Sequence, residues 1–311
     1  MKLVINIPCY NEEETLPLVL DELPRQIPGI AEIEVQIVDD GSTDQTAQVA
    51  AAYGCRVIRH HQNLGLGNTF NSGIQAALAN GCDLMVNIDA DYQHPPKDVP
   101  RLVSPILAGE ADIVVANRTP WKIEYYSRLK RFLQLVGNKL VGRIVGQDVP
   151  DTVCGFRAYS REALLRINVI TKYSYTLDTL VQASKKGLRI SSVPITANPP
   201  TRKSRLSRNL WSYTLNSAIN VARIFVVYEP FLTFFISSLL FLVPGLFLLV
   251  RFIVFALQGG SGRVQSLVVS ATMLIIAGIL FVLGVLAGVL SINRYHLEEQ
   301  LYLTKRQFYE K

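Results

Sequence analysis

Residues 84–96 read LMVNIDADYQHPP. The first half is a short apolar run, and the second half holds two aspartates, Asp89 and Asp91, with one small residue between them. The run predicts a buried strand. The acids predict that it stops at a polar site, because two close carboxylates stay ionised together only beside a positive charge.

The same pattern recurs on both sides. KLVINIPCY, EIEVQIVDD, CRVIRHH and ADIVVANR read as further strands. Between them EEETLPLVLDELPRQ, STDQTAQVAAAYG and GLGNTFNSGIQAALANG have helical spacing, the second with Ser42 or Thr43 as its N-cap and the third closed by Gly81. DVPDTVCGFRAYSREALLRI reads as a loop leading into a helix, and LRISSVPI as another strand. This alternation predicts an α/β domain with a mostly parallel sheet and helices on both faces. Four strands end in chemically useful residues: Pro8-Cys9-Tyr10-Asn11-Glu12, Asp39-Asp40-Gly41-Ser42, Asp89-Ala90-Asp91 and Asn117-Arg118. Ligands of open α/β sheets bind beyond the carboxyl ends of the strands, so this edge is the expected site.

The 311 residues are 49% apolar and 18% charged, with a net charge of +6, and neither the apolar residues nor the charge is evenly spread. Phe231–Val250 and Gln265–Ile292 carry no charge and are long enough to cross a bilayer. With the polar turn QGGSG nearby they predict a transmembrane hairpin. Basic residues gather before it. Residues 118–147 hold seven Lys or Arg against one acid, Glu124, in an amphipathic helical pattern that suits a membrane surface. Residues 199–228 hold five basic residues and no acid, with Trp211, Tyr213 and Tyr228 interleaved as at a membrane interface. The tail adds Arg294, Lys305, Arg306 and Lys311. The positive-inside rule therefore places the α/β domain and both termini in the cytoplasm. The basic excess faces membrane and phosphates, not nucleic acid.

The expected layout is a catalytic domain at 1–200, a juxtamembrane segment at 201–229, a hairpin at 230–293 (spans near 231–254 and 265–292) and a helical tail at 294–311. The tail pattern suits packing on the catalytic domain or on another subunit, so homo-oligomerisation stays open. Cys9, Cys55, Cys82 and Cys154 show no metal or redox spacing and are expected as small residues of a reducing compartment. The first residues run too quickly into Asn11 and three glutamates for a secretory signal.

Hard oxygen donors such as Asp89 and Asp91 select Mg2+ or Mn2+, which usually shares its shell with substrate phosphates; Gln93 offers a third oxygen. There is no P-loop lysine motif, and no nucleophile–histidine arrangement is supported.

Together PCYNEEE, VDDGSTDQT, NLGLGNTFNSGI, DADYQHPP and DTVCGFRAYSREAL resemble the family 2 glycosyltransferases of GT-A fold, and within them the polyprenyl-phosphate glycosyltransferases, which include dolichol-phosphate mannose synthases. The resemblance covers about residues 1–230. It implies that Pro8, Tyr10, Glu12 and Asp39 line a nucleotide pocket with Asp40 beside it. It also implies that Asp89, Asp91 and Gln93 hold Mg2+ or Mn2+ on the donor diphosphate. Arg118, Arg131, Arg202, Ser204 and Arg205 would bind the acceptor phosphate. Asp151 matches an acid often assigned as the base. Leu135 departs from the pattern, since some lipid-acceptor members carry a phosphate-binding hydroxyl near this place.

The activity implied is metal-dependent, inverting transfer of a hexose from a nucleotide sugar to a polyprenyl phosphate at the cytoplasmic membrane face. GDP-mannose and UDP-glucose both fit as donors. A second reading is a transferase that extends a polysaccharide or glycolipid. Against it stand the missing Gln-x-x-Arg-Trp segment of processive synthases and the small number of spans. A third reading, a nucleotide-sugar sensor without turnover, conflicts with the intact acids.

Overall fold

The structure, a computed structural model, describes residues 1–119, 135, 137–139, 141–142, 145–147, 149–169, 175–199, 219, 222–223, 225–259 and 264–309. Arg131, Arg202, Ser204, Arg205 and most of the two basic segments lie outside the described residues. The chain divides into two units. One comprises Met1–Leu215 with Gln300–Lys311, and the other Asn216–Glu299.

The first unit is built on a seven-stranded sheet: β1 (Lys2–Cys9), β2 (Glu32–Asp39), β3 (Arg56–Arg59), β4 (Leu84–Asn87), β5 (Ile113–Asn117), β6 (Arg157–Ser160) and β7 (Ile190–Pro194). The order is β3-β2-β1-β4-β6-β5-β7. β1, β2, β3 and β4 run parallel, as do β5 and β7, whereas β6 is antiparallel to both of its neighbours. The mostly parallel α/β architecture is as expected. β1 and β4 are buried almost throughout, as expected where helices cover both faces of a parallel sheet.

The helices are α1 (Leu16–Asp21), α2 (Thr46–Ala52), α3 (Leu66–Ala79), α4 (Val99–Leu107), α5 (Arg161–Arg166) and α6 (Thr176–Lys185). α3 buries Phe70, Gly73, Ile74, Ala77 and Leu78, the stripe expected of a helix lying on a sheet, and Gly81 closes it at φ +70°. Phe70 stacks on Tyr175 with ring centroids 4.1 Å apart.

Two expectations need correction. α2 starts at Thr46, not at Ser42 or Thr43, because those residues are engaged in loop hydrogen bonds to Asp39 and Asn11. The segment before residue 161 is not all loop: Arg157–Ser160 is a strand. Since β6 runs against β4, with Arg157 paired to Asn87, its leading end lies at the carboxyl end of β4. That polarity delivers residues 151–156 to the expected edge.

The second unit holds the long helix α7 (Pro230–Leu257) and most of α8 (Val264–Tyr309). Both are long and apolar enough to cross a membrane. They pack through small residues. Ser238 Oγ donates to Ala277 O at 2.9 Å, and Ser270 Oγ donates to Gly245 O at 2.8 Å. Close approach through small and hydroxyl side chains is the usual way for helices to pair in lipid. α8 continues past residue 293 without a break, so residues 294–309 are helical.

The last turns of α8 belong to the first unit and dock on α5. Tyr302 Oη donates to Glu162 Oε1 at 3.0 Å, under the Arg166 guanidinium 4.6 Å from its ring. Arg161 Nη2 donates to Tyr309 O at 2.7 Å, and Lys305 Nζ donates to Ile167 O at 3.0 Å. Of the two places the tail pattern suited, the structure shows packing on the catalytic unit.

Candidate active site at the strand ends

The loops after β1 and β2 bind each other. Asn11, in the left-handed region at φ 55°, accepts from Thr43 N at 2.8 Å through Oδ1, and its own N–H donates to Ser42 Oγ at 2.9 Å. Glu12 N donates to Thr46 Oγ1 at 2.8 Å, and Thr15 Oγ1 donates to Glu12 Oε2 at 2.7 Å. Pro8 is buried in β1 and Tyr10 is 41% exposed.

Asp39 is fully buried; Oδ1 accepts from Ser42 N at 2.9 Å, and Oδ2 lies 3.2 Å from Arg59 Nε. Asp40 is turned elsewhere. Its Oδ1 lies 2.7 Å from His60 Nδ1 and accepts from Leu64 N at 2.9 Å, while Oδ2 accepts from Gly65 N at 2.9 Å. Asp40 thus anchors the Gly65-Leu66-Gly67 entry to α3. Gly41 has no substitute at φ +75°, since a Cβ would lie 2.7 Å from the backbone of Gln62.

Asp89 and Asp91 emerge from β4 as expected. Gln93 folds onto Asp91, its N–H reaching Oδ1 at 3.1 Å and its Nε2 reaching Oδ2 at 2.7 Å. Burial first, and then the charge of Asp89, push the Asp91 carboxyl up from its ordinary value. An acid raised in this way, beside a second carboxylate, is the electrostatic complement of a divalent cation. Among the described residues no group of three or more His, Cys, Asp or Glu could hold a metal. The donor set is then the pair and the Gln93 amide, which fits Mg2+ or Mn2+ with phosphate oxygens completing the shell.

The sequence reading did not single out what surrounds the pair. His94 is 3% exposed, with Nε2 3.6 Å from Asp89 Oδ2 and 4.0 Å from Cys154 Sγ. Burial opposes its charge, but Cys154 and Asp89 outweigh burial and push the imidazole up to about 10. The loop Tyr92–Gln93 is held from β7's far end, where Asn198 N donates to Gln93 O and Asn198 Nδ2 to Tyr92 O, both at 3.0 Å. Tyr92 is left-handed at φ 59°. With Asn11 and Thr119 (φ 52°), all three non-glycine left-handed residues among those described sit just beyond the carboxyl ends of strands, where functional sites keep backbone strain.

Arg118 and Asp151 meet at the same edge. Arg118 Nε donates to Oδ2 at 2.7 Å and Nη2 to Oδ1 at 3.0 Å, and the Arg118 backbone N–H reaches Oδ2 at 3.3 Å. Asp151 has no exposed surface. The loop that carries it is shaped by Arg157, a fully buried guanidinium that donates to the carbonyls of Thr152, Cys154 and Thr176 and to Thr179 Oγ1, at 2.6–2.8 Å.

Beneath this edge runs a row of buried amides in sheet register: Gln36, Asn6 and Asn87. Gln36 Nε2 donates to Asn6 Oδ1 at 2.8 Å, and Asn6 Nδ2 donates to Asn87 Oδ1 at 2.7 Å. Asn87 Nδ2 donates to Tyr175 Oη at 2.8 Å and to Gly155 O at 3.3 Å. The row becomes visible only in the pairing of the strands.

Residues 4–167 match the family model "Glycosyl transferase family 2". The chain is 30% identical over 207 residues to the undecaprenyl-phosphate mannosyltransferase of Micrococcus luteus, covering 63% of this chain and 83% of that one. It is 28% identical over 212 residues to the polyprenol monophosphomannose synthase of Mycolicibacterium smegmatis, covering 62% and 76%. Among solved structures it is similar to glucosyl-3-phosphoglycerate synthase from Mycobacterium tuberculosis, crystallised with Mn2+ and UDP-glucose, at a TM-score of 0.55 and 26% identity over 72% of this chain and 78% of that one.

Proposed function

The chain belongs to glycosyl transferase family 2, and from that premise we propose that it moves a hexose from a nucleotide sugar to a polyprenyl phosphate at the cytoplasmic membrane face. The carrying observation is a single sheet edge that holds both an acid pair, with Asp91 raised by burial and by the charge of Asp89, and an arginine fork, in a chain with two membrane-length helices. The polyprenyl-phosphate mannosyltransferases among its relatives support the acceptor class, and a neighbour crystallised with Mn2+ and UDP-glucose supports a nucleotide-sugar donor and a divalent metal.

In this reading Asp89, Asp91 and Gln93 hold Mg2+ or Mn2+. When bound, the ion neutralises charge building on the departing diphosphate. Pro8, Tyr10, Glu12 and Asp39 line the nucleotide pocket. Asp40 acts behind them by fixing the Gly65–Gly67 loop. The bond from the anomeric carbon to the diphosphate breaks as a bond to an acceptor phosphate oxygen forms, and the nucleoside diphosphate leaves with the electron pair. A phosphomonoester with a second pKa near 6 is largely ionised at pH 7, so no strong base is required. Asp151 then serves to hold Arg118, whose planar fork suits phosphate. Arg131, Arg202, Ser204 and Arg205 join it on the acceptor side. Inversion at the anomeric carbon follows from the family resemblance.

The test is a product assay with purified protein, Mn2+, polyprenyl phosphate and a panel of nucleotide sugars. A lipid-linked monosaccharide from one donor is expected. No such product from any donor overturns the reading.

A further inference from the structure

The Asp89 carboxylate, 34% exposed, is bounded on two sides. On one side lies Gly155: a Cβ built there would be 2.8 Å from Asp89 Oδ2, 3.1 Å from Oδ1 and 2.7 Å from Tyr175 Oη. Side-chain carbons do not approach oxygens that closely, so the carboxylate lies against the bare Cα face of a glycine. On the other side His94 Nε2 sits 3.6 Å from Oδ2.

Both walls are themselves held in place. Gly155 O accepts from Tyr175 Oη at 3.1 Å and from Asn87 Nδ2 at 3.3 Å, and Arg157 Nε ties down the preceding carbonyl, Cys154 O, at 2.8 Å. His94 packs on Phe156 with ring centroids 5.6 Å apart and on Cys154 Sγ at 4.0 Å. Cys154 and Phe156 are fully buried, and among the described residues Nδ1 of His94 finds no hydrogen-bond partner, so packing and Asp89 orient the ring. Residues 154–156 feed directly into β6, which pairs with β4. The strand that carries Asp89 and the segment that confines it are therefore neighbours in one sheet.

We propose that Gly155 and His94 form a rigid seat that holds the Asp89 carboxylate in its cation-binding orientation, making both positioning residues. The inference rests on the metal role given above to Asp89. Partners that orient a metal's carboxylate ligands shape affinity as well as geometry. The seat predicts that a methyl group at residue 155 displaces the carboxylate, and that loss of the imidazole lets it turn.

The experiment uses the full chain in detergent. Mn2+ binding is read from the electron paramagnetic resonance signal of free Mn2+, with UDP and with GDP present. Gly155→Ala and His94→Leu are each expected to weaken Mn2+ binding by about 10- to 100-fold. His94→Gln, which keeps a nitrogen beside Asp89, is expected to recover part of that loss. In turnover assays the same variants should need more Mn2+ for half-maximal rate yet approach the wild-type rate at saturating Mn2+, a split that general loosening of the fold would not produce. If Gly155→Ala does not fold, the two His94 variants carry the test. Mn2+ affinity within twofold of wild type in the folded variants, alongside lost affinity in Asp91→Asn, overturns the seat. Undiminished Mn2+ affinity in Asp91→Asn overturns the metal role itself.

Discussion

Arg118 grips Asp151 with two guanidinium nitrogens, at 2.7 and 3.0 Å, and Asp151 is wholly enclosed. An acid engaged on both oxygens is arranged to aim its partner rather than to take a proton from substrate. Replacing Asp151 with Asn or Arg118 with Lys breaks the fork. Both variants should raise KM for the polyprenyl phosphate while leaving donor KM nearly unchanged. Asp151→Ala should also lower stability by about 3–5 kcal/mol, because it removes both carboxylate acceptors from a largely buried guanidinium. Steady-state kinetics with varied acceptor, paired with chemical denaturation, checks both. An unchanged acceptor KM in Asp151→Asn would return the base role to this residue.

Burial first, and then the charge of Asp89, hold the Asp91 carboxyl above its ordinary value. Asp91→Asn should lower turnover by a hundredfold or more, since the transition-state charge lost with the ion is worth several kcal/mol, each ~1.4 of which is a factor of ten. The measurement is initial rate at saturating donor with and without chelator. Full turnover in either case contradicts the proposed role.

Gly73 in α3 lies over Asn6, and a Cβ there would run into the Asn6 amide. Gly73→Ala should destabilise the catalytic unit by about 1–3 kcal/mol through overpacking. A urea melt of the full chain followed by far-ultraviolet circular dichroism reads this directly. A shift of the midpoint to higher urea would show that the row of amides yields more easily than its hydrogen bonds suggest.

The docked end of α8 makes a pH prediction. Burial first, then nearby Lys186, lower Lys305 from 10.5 to about 8. Between those values the unfolded chain holds a proton that the folded chain has released, so raising the pH favours the folded state. The stabilisation should grow from about pH 8 and level off above the unfolded value of 10.5. Melting temperatures from pH 7.5 to 10.5 should show this rise in the wild type, and Lys305→Met should flatten it.

Much of this edge was legible in the sequence. Largely apolar runs ending in Asp39, Asp89 and Arg118 marked strands and their carboxyl ends, because the residues before each end are buried. β6 escaped notice for a different reason. It is four residues long and begins with Arg157, whose charge reads as loop until the carbonyls that receive it are seen. The same blindness hid Gly155 and His94, whose importance lies in what they touch across the sheet. Asp40 was legible as a strand-end acid, but its engagement with Leu64, Gly65 and His60 depends on a fold-back that local pattern does not encode.

The row of amides has a direction. Gly155 O can only accept, so Asn87 must turn its nitrogen toward it. Asn87 then offers oxygen to Asn6, and Asn6 offers oxygen to Gln36. Reversing any one amide would set like against like along the row. The three positions therefore behave as a single heritable character. A lineage that replaces one of them must rewrite its neighbours too, and swaps at residues 6, 36 and 87 should appear in relatives as matched sets.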